Sequence, residues 1–213
     1  MRIMKPRFFS FEGIEGCGKS TQWRLLGDYI ETQGIAVELM REPGGVPIAE
    51  AIRGILLDPA NKAMSSSTEL LLYAASRAQL IEERIAPALA AGKVVVSDRY
   101  ADSTTAYQGA GRGLDPERIE QLHNIATGGL WPVKTFLLDL PVEAGLERAR
   151  TRGRADRIEQ EALPFHQRVR DAYLVVARMH PERFVVLDAR QSIEALHAEI
   201  CAVADEVLGL NRL

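Results

Sequence analysis

The fold of this chain is decided by one stretch of its sequence, Gly13-Ile14-Glu15-Gly16-Cys17-Gly18-Lys19-Ser20. Two glycines separated by four residues and followed by Lys and Ser match the pattern of a phosphate-binding loop. Residues 7–12 before the loop are typical of a short strand, and residues 21–33 after it are typical of an amphipathic helix. Glycines at such a junction let backbone N–H groups approach an oligophosphate, and the helix N-terminus adds partial positive charge.

This loop predicts a nucleoside triphosphate site. Lys19 is expected to reach the β- and γ-phosphates, and the Ser20 hydroxyl is expected to bind Mg²⁺. A glycine-rich turn without a ligand is the alternative interpretation. The complete match, placed between a strand and a helix, argues against that alternative.

The composition is that of an ordinary globular enzyme. The 213 residues carry a net charge of −3, and 46% of them are hydrophobic, so the chain can bury the core of one domain. This weak charge gives no reason to expect a nucleic acid or membrane partner. No apolar run reaches the ~20 residues that span a bilayer, and no signal segment is recognisable. Cys17 and Cys201 form no disulfide or metal pattern, and a cytoplasmic protein is expected.

Strand and helix patterns alternate along the chain. Strands are expected at 7–12, 35–40, 93–97, 135–140 and 184–187. Helices are expected at 21–33, 48–57 and 66–90, from Asp115-Pro116, after Pro141 and after Ser192. The pattern predicts a single α/β domain of the P-loop NTPase fold, with a five-stranded parallel sheet flanked by helices. Ligands of such sheets bind at the carboxyl ends of the strands.

Charged residues follow two of these strands. Arg41 precedes the turn at 42–45, where its guanidinium fork suits a second phosphate group, although a solvated turn arginine would also fit. Asp98 ends the valine strand, and a buried carboxylate there requires Mg²⁺, a ligated water or Lys19 nearby, unless it is a structural cap. Arg99 is a second candidate for an acceptor phosphate.

Five arginines cluster after the fourth strand and its helix: Arg148, Arg150, Arg152, Arg154 and Arg157. A run of charges is usually the solvated end of a helix. Beside a phosphate loop, the cluster instead favours a short lid, at about residues 148–161. Such a lid closes on the triphosphate and supplies an arginine to the transferred phosphoryl group.

A GTPase switch protein is not expected. Asn61-Lys62 is followed by Ala63-Met64 and does not complete the guanine-reading Asn-Lys-x-Asp pattern, and no Asp-x-x-Gly switch follows the loop. Two phosphate sites indicate instead a kinase that acts on a nucleotide or another small metabolite.

With these motifs in order, the chain resembles the bacterial thymidylate kinases over nearly its whole length, from residue 7 to about Leu208. The motifs are Phe11-Glu12-Gly13, Arg41-Glu42-Pro43-Gly44-Gly45, Ser76-Arg77-Ala78-Gln79, Asp98-Arg99-Tyr100, Ala106-Tyr107-Gln108-Gly109 and Asp156-Arg157-Ile158-Glu159-Gln160-Glu161.

This resemblance implies that ATP, with Mg²⁺, donates a phosphoryl group to thymidine monophosphate (dTMP), giving thymidine diphosphate and ADP for dTTP synthesis. It places the ATP site at Gly13, Ile14, Glu15, Gly16, Cys17, Gly18, Lys19, Ser20, Thr21 and Arg148. The implied metal ligands are Ser20 and Asp98. The implied catalytic residues are Lys19, Arg99, Arg152 and Glu15, with Glu15 near the 3′-hydroxyl or the metal site.

The same resemblance implies a dTMP site formed by Arg41, Tyr73, Arg77, Arg99, Thr104, Tyr107 and Gln108. Tyr73 stands where the family commonly stacks a Phe on the base, one helical turn before Arg77, which would hydrogen-bond the base. Core packing is the alternative interpretation of Tyr73. Gln108 and Thr104 would line the base pocket, and Tyr107 would favour deoxyribose.

Some members of the family carry a loop arginine at the position of Gly16, and this chain does not. The resemblance therefore implies the bacterial subgroup with a lid arginine, expected at Arg152, with Arg148 beside the adenine. It also implies a homodimer, for which the apolar helix at 66–90 would supply an interface. A kinase for another nucleoside monophosphate and a non-catalytic regulatory P-loop ATPase stay open as alternatives.

Overall fold

The structure is a computed structural model that describes residues 7–151 and 155–210. Its centre is a sheet of five parallel strands in the order β2-β3-β1-β4-β5. The strands are β1 (Phe8–Glu12), β2 (Val37–Arg41), β3 (Val94–Asp98), β4 (Lys134–Asp139) and β5 (Phe184–Asp188). The sequence-based prediction of a five-stranded parallel α/β fold is therefore confirmed.

Helices cover both faces of this sheet. Those in the described residues are α1 (Lys19–Thr32), α2 (Pro47–Leu57), α3 (Ser66–Leu80), α4 (Ala86–Ala90), α5 (Ala101–Thr104), α6 (Pro116–Thr127), α7 (Val142–Arg150), α8 (Leu163–Met179) and α9 (Ile193–Leu208). A π-helical turn, Ile81–Ile85, joins α3 to α4, and a second, Thr105–Gly111, continues α5. The helical stretch expected at 66–90 is thus present but includes a π-helical turn.

Two helices were not predicted from the sequence, α5 and α8. The signal for α8 was present, because Phe165, Val169, Tyr173 and Ala177 recur every four residues, and all are buried on one face. The expected helix starts at Asp115 and Ser192 are confirmed. Each side chain accepts a hydrogen bond from a backbone N–H in the first turn of its helix.

Side chains of β1 alternate between the two layers of the core. Phe9 and Phe11 pack with residues of α1, α8 and α9, whereas Phe8 packs with residues of α3, α4 and β3. In register, Phe11 of β1 and Arg41 of β2 pair with Asp98 at the end of β3. The ends of these three strands, and the loops that follow them, therefore meet at one edge of the sheet. Within residues 7–151 and 155–210, no helix is long and apolar enough to cross a membrane.

Helix α7 packs directly on the loop that follows β1. A Cβ atom on Gly145 would lie 2.5 Å from the carbonyl oxygen of Glu15, and one on Gly16 would lie 2.0 Å from the carbonyl oxygen of Gly145. Neither position has room for a side chain. Two facing glycines therefore determine the distance between the loop and α7.

Replacing Gly145 by Ala is expected to lower the free energy of unfolding by ~1–3 kcal/mol, because the added methyl meets rigid backbone. Gly54→Ala is the matched control: Gly54 also lies within a helix, but its Cβ would meet no atom within 4 Å, and helix propensity predicts a gain of up to ~1 kcal/mol. Urea denaturation measures both changes. A Gly145→Ala variant as stable as the wild type would contradict the tight contact.

Candidate active site

The loop from Gly13 to Gly18 joins β1 to α1 with backbone angles that favour glycine. Gly13 and Gly16 have φ of 137° and 72°, and a Cβ on Gly13 would lie 2.6 Å from the carbonyl oxygen of Leu138 in β4. Lys19 is buried, and its Nζ donates to the carbonyl oxygens of Gly13 at 3.0 Å and Ile14 at 2.7 Å. Its ammonium group therefore lies within the loop, beside the backbone expected to hold phosphates.

Two cavities adjoin this loop and share Gly16, Lys19 and Ser20 in their walls. The Arg148 cavity has a volume of about 360 Å³ and is also lined by Thr151, Ala189 and the first turn of α1. The Tyr73 cavity has a volume of about 260 Å³ and reaches α2, α3 and residues 156–159. Two ligands can therefore meet beside Lys19, one from each cavity.

The structure brings most of the expected site residues to these two cavities. The Tyr73 cavity is lined by Glu15, Arg41, Tyr73, Asp98, Arg99, Tyr107 and Gln108. The Arg148 cavity is lined by Gly16, Cys17, Gly18, Lys19, Ser20, Thr21 and Arg148. Cys17 is buried and forms no disulfide. The roles of these residues remain predictions.

Ser20 and Asp98 come together from α1 and β3. The Ser20 hydroxyl donates to Oδ2 of Asp98 at 2.6 Å, and both residues line the Tyr73 cavity beside Lys19. A hydroxyl and a carboxylate are oxygen ligands of the kind that Mg²⁺ prefers. The residues present therefore fit a magnesium ion at the boundary between the two cavities.

Arg99 connects three parts of the site. Its φ is 73°, a left-handed conformation that is uncommon for a bulky residue and costs on the order of 1–3 kcal/mol. The guanidinium donates to the Gly13 carbonyl at 3.1 Å, to Oε1 of Glu15 at 3.2 Å and to the hydroxyl of Tyr107 at 3.0 Å. It also donates to the hydroxyls of Ser103 and Tyr173. The strained backbone thus aims a cation at the loop.

Glu15 is held as a carboxylate inside the loop. It accepts a hydrogen bond of 2.5 Å from the Tyr107 hydroxyl, and its Oε2 lies 3.3 Å from Nδ1 of the buried His166. Burial alone would raise the pKa of Glu15. His166, Arg99 and Lys19 favour the ionised form more strongly and lower the pKa to about 2. Glu15 is therefore an acceptor-only group at neutral pH.

Arg77 lies behind the wall of the Tyr73 cavity. It is 2% exposed, pairs with Glu42 at 2.7 Å and donates to the Thr104 hydroxyl at 3.0 Å and the Tyr100 carbonyl at 3.1 Å. The base contacts expected of Arg77 and Thr104 remain predictions. What the structure shows is that Arg77 ties α3 to Glu42 after β2 and to α5.

Two arginines line the Tyr73 cavity near the ends of β2 and α2. Arg41 is half exposed and pairs with Glu50 at 2.8 Å, so it is anchored without being buried. Arg53 donates to the Pro43 carbonyl at 2.8 Å, and burial together with the nearby Arg41 lowers its pKa. Sequence analysis did not single out Arg53. Arg53 lies in α2, separated from the loop motif by α1 and β2, and no local sequence pattern identifies it.

The lid region is described only in part. Arg152 and Arg154 lie outside the described residues, so the expected lid arginine stands as a prediction. Arg157 is buried: its Nη1 donates to Glu69 at 2.6 Å and its Nε to the Leu56 carbonyl at 2.8 Å. Its backbone N–H also bonds to the Leu57 carbonyl. Arg157 is thus a structural anchor that ties its own segment to α2 and α3.

Sequence analysis quoted Glu12 in a motif but assigned no role to it or to the buried polar residues that surround it next to Arg99. Glu12 accepts hydrogen bonds from the backbone N–H of Tyr100 at 2.7 Å and from the hydroxyls of Ser103 at 2.6 Å and Tyr173 at 2.7 Å. Both hydroxyls also accept from Arg99. Only the position of Glu12 at the end of β1, before the loop, gave a signal that could have identified it.

The fold and the site together define the class of protein. A phosphate loop at the carboxyl edge of a parallel sheet, with two cavities that share its lysine, is the arrangement of a P-loop protein that binds two ligands beside one phosphate chain. Comparison with known sequences then identifies the family. The family model described as thymidylate kinase matches residues 11–200, and the chain belongs to this family.

Individual relatives agree over nearly the whole chain. A thymidylate kinase from Geotalea uraniireducens is 53% identical over 201 residues, which cover 92% of this chain and 94% of the relative. One from Symbiobacterium thermophilum is 50% identical and covers 94% of each chain. The crystal structure of thymidylate kinase from Ehrlichia chaffeensis superimposes with a TM-score of 0.75 at 35% identity, over 92% of this chain and 96% of that chain.

The Arg77–Glu42 pair provides a stability test of the cavity wall. Glu42→Gln is expected to lower the free energy of unfolding by ~3–5 kcal/mol, because it leaves the buried Arg77 without its charged partner. The control is Asp188→Asn, which breaks the exposed pair with Arg190 and should change stability far less, because exposed ion pairs are weak. Chemical denaturation of both variants gives the two values. If both variants lost the same free energy of unfolding, the burial of Arg77 would not make the loss of its partner more costly.

Proposed function

We infer that this protein transfers the γ-phosphoryl group of ATP to dTMP, giving dTDP and ADP, as a step in dTTP synthesis. Membership of the thymidylate kinase family, with relatives at about 50% identity over most of the chain, supports this reaction. The structural observation that carries it is the pair of cavities that share Lys19 and Ser20. A phosphoryl donor in one cavity and a phosphoryl acceptor in the other can approach each other beside these residues.

We assign ATP to the Arg148 cavity. Backbone N–H groups of the loop and the N-terminus of α1 would hold its phosphates, with Lys19 at the β- and γ-phosphates. Arg148 is exposed at the cavity wall, where it can cover the adenine, and its Nη1 lies 3.5 Å from the Ala189 carbonyl. The loop residues 13–18 and Thr21 complete this side of the site.

We assign dTMP to the Tyr73 cavity, with its phosphate toward the loop. Arg41, Arg53 and Arg99 all line this cavity and would supply positive charge for that phosphate. Tyr73 and Gln108 line the same cavity, where a ring and an amide can stack on the base and read its edge. Arg77 and Thr104 support this wall from behind.

The sugar would lie between these two regions. Tyr107 lines the Tyr73 cavity while its hydroxyl is occupied by Glu15 and Arg99, so its ring is a rigid wall that crowds the 2′ position. Glu15 is an ionised acceptor in the same cavity, suited to the 3′-hydroxyl or to the metal site. Of these two features, the wall formed by the Tyr107 ring is the one that favours a deoxyribonucleotide, because the 3′-hydroxyl is common to both sugars.

Catalysis in this site is mostly positioning and charge stabilisation. The acceptor phosphate is already nucleophilic at neutral pH, so no general base is required. Lys19 and Arg99 stabilise negative charge on the transferred group. Arg152 is proposed as the lid arginine that completes the charge stabilisation on closure. Arg157, anchored on Glu69 and Leu56, would hold the other end of that lid.

We propose that Ser20 and Asp98 hold Mg²⁺ with ATP. The hydroxyl–carboxylate pair at 2.6 Å supports this assignment. A bound Mg²⁺ would neutralise phosphate charge. The two protein groups contribute a donor oxygen each and leave the remaining positions to phosphate oxygens and water, as is usual for this ion.

We further propose a cytoplasmic homodimer. Cys17 and Cys201 are both unpaired thiols, as expected in a reducing compartment. Leu71 on α3 and Ile48 and Ile55 on α2 are large apolar side chains about half exposed, and α2 packs against α3. A second copy covering this surface would bury them.

The proposed reaction is tested by Mg²⁺-dependent ADP release from ATP across a panel of ribo- and deoxyribonucleoside monophosphates at equal concentration. A strong preference for dTMP is expected. Activity on another monophosphate alone would overturn the assigned base and sugar contacts. A folded, ATP-binding protein with no acceptor-dependent release would overturn the kinase function itself.

The metal site is tested by Asp98→Asn. This variant is expected to raise the Mg²⁺ concentration for half-maximal activity by about tenfold or more, because a carboxylate ligand becomes a neutral one. Asp139→Asn is the matched control, since Asp139 ends the next strand but one and pairs with Arg170 at 2.7 Å. Its magnesium requirement should not change. An Asp98→Asn variant with the wild-type requirement would remove Asp98 from the metal site.

A further inference from the structure

Glu69 of α3 is a buried carboxylate that accepts four hydrogen bonds. Nε2 of Gln108 donates to its Oε1 at 2.8 Å, and Nε of Arg112 donates to the same oxygen at 3.0 Å. Nη2 of Arg112 at 2.9 Å and Nη1 of Arg157 at 2.6 Å donate to Oε2. The side chain is 1% exposed. Three side chains from two other segments of the chain therefore converge on one acid of α3.

This acid is ionised in the folded protein. Burial alone would raise the pKa of Glu69, but hydrogen bonds from Arg112 and Gln108 and the charge of Arg112 more than offset burial and lower the pKa. An ionised carboxylate has only acceptor atoms. Every group that contacts it must therefore present an N–H or an O–H.

The ionised Glu69 determines which way the Gln108 amide points. The two ends of a glutamine amide differ only in hydrogen bonding, and a carboxylate neighbour selects the NH₂ end. Gln108 is buried and lines the Tyr73 cavity. With Nε2 committed to Glu69, the oxygen of the amide is the polar atom left to face a ligand in that cavity.

We propose that Glu69 is a positioning residue that sets base choice: by holding Nε2 of Gln108, it leaves an obligate acceptor facing the base. Thymine carries an N–H donor at ring position 3, whereas cytosine carries a lone pair there. An acceptor fixed in the wall therefore pairs with thymine and repels cytosine. This inference rests on the proposed function and on the assignment of the base to the Tyr73 cavity.

Replacing Glu69 by Gln is expected to reverse the orientation of the Gln108 side-chain amide. The oxygen of the new amide is expected at the Oε2 position, where two charged donors, from Arg112 and Arg157, outweigh the single charged donor, Nε of Arg112, at Oε1. Its NH₂ then faces Gln108. Gln108 must then turn its own oxygen inward and present its NH₂ to the base. A donor in the wall favours the cytosine ring nitrogen and opposes the thymine N–H.

The measurement is kcat/KM of the full-length wild type and of Glu69→Gln with dTMP, dUMP and dCMP. The dTMP-to-dCMP ratio is expected to fall by about tenfold or more, since a site built for one hydrogen-bond polarity rejects the other. The dTMP-to-dUMP ratio should stay within about twofold, because uracil carries the same N–H as thymine and differs only by a methyl group. A dTMP-to-dCMP ratio unchanged from the wild type overturns the proposal.

Arg112→Met is the matched control. It removes two of the hydrogen bonds to Glu69 and the pair with Glu161, yet it leaves the Glu69–Gln108 contact and the Arg157 charge in place. Its dTMP-to-dCMP ratio is expected to match the wild type. A loss as large as that of Glu69→Gln would mean that the whole network, rather than the orientation of Gln108, sets base choice, and would overturn the proposal.

A second measurement needs no folded Glu69 variant. In the wild type, the Gln108 side-chain NH₂ protons, assigned by their loss in Gln108→Leu, are expected to exchange with solvent more slowly than those of exposed glutamines such as Gln160. Exchange as fast as that of Gln160 would contradict a held amide. A wild type without dTMP preference would refute the proposed function, whereas a dTMP-specific wild type with either contrary result refutes this inference alone.

Discussion

The architecture of the site depends on the Arg99 guanidinium. Its donors reach Gly13 and Glu15 in the loop, Tyr107 after α5 and Tyr173 in α8, so one cation connects segments far apart in sequence. Arg99 makes these contacts from a strained, left-handed backbone conformation. Among the described residues, no other non-glycine residue has positive φ. Strain of this kind persists only where many contacts over-determine the conformation. The loop is therefore held in place by the group that would also contact the substrate.

Much of the site is built from charges buried in matched groups. Glu69 with Arg112 and Arg157, and Glu42 with Arg77, are removed from water beside the Tyr73 cavity. The free energy lost by removing these charges from water offsets much of their mutual attraction, so such pairs add little net stability. What they provide is a fixed orientation for neutral neighbours such as Gln108 and Thr104. Rigid polar walls of this kind are what discrimination between similar bases requires.

Sequence reasoning succeeded where a local pattern has one physical meaning. The glycine loop, the buried valines of β3 and the caps at Asp115 and Ser192 each led to the element found. It failed where function depends on partners distant in sequence. Arg53 and Glu69 carry no local signature, because their roles follow from contacts with Pro43 and Gln108 that only the fold creates. Arg157 looked like one of a run of lid arginines, yet it is a buried anchor.

The facing glycines 16 and 145 have a consequence for how such enzymes diverge. With 2.0 Å between a Cβ at position 16 and the carbonyl oxygen of Gly145, no arginine can enter the loop at that position unless α7 moves away. Moving α7 would also move residues 148–150 at its end, which include Arg148 in the wall of the Arg148 cavity. A side chain at position 16 and the present position of α7 are therefore mutually exclusive. A related sequence with a larger residue at this position would have to change the loop and α7 together.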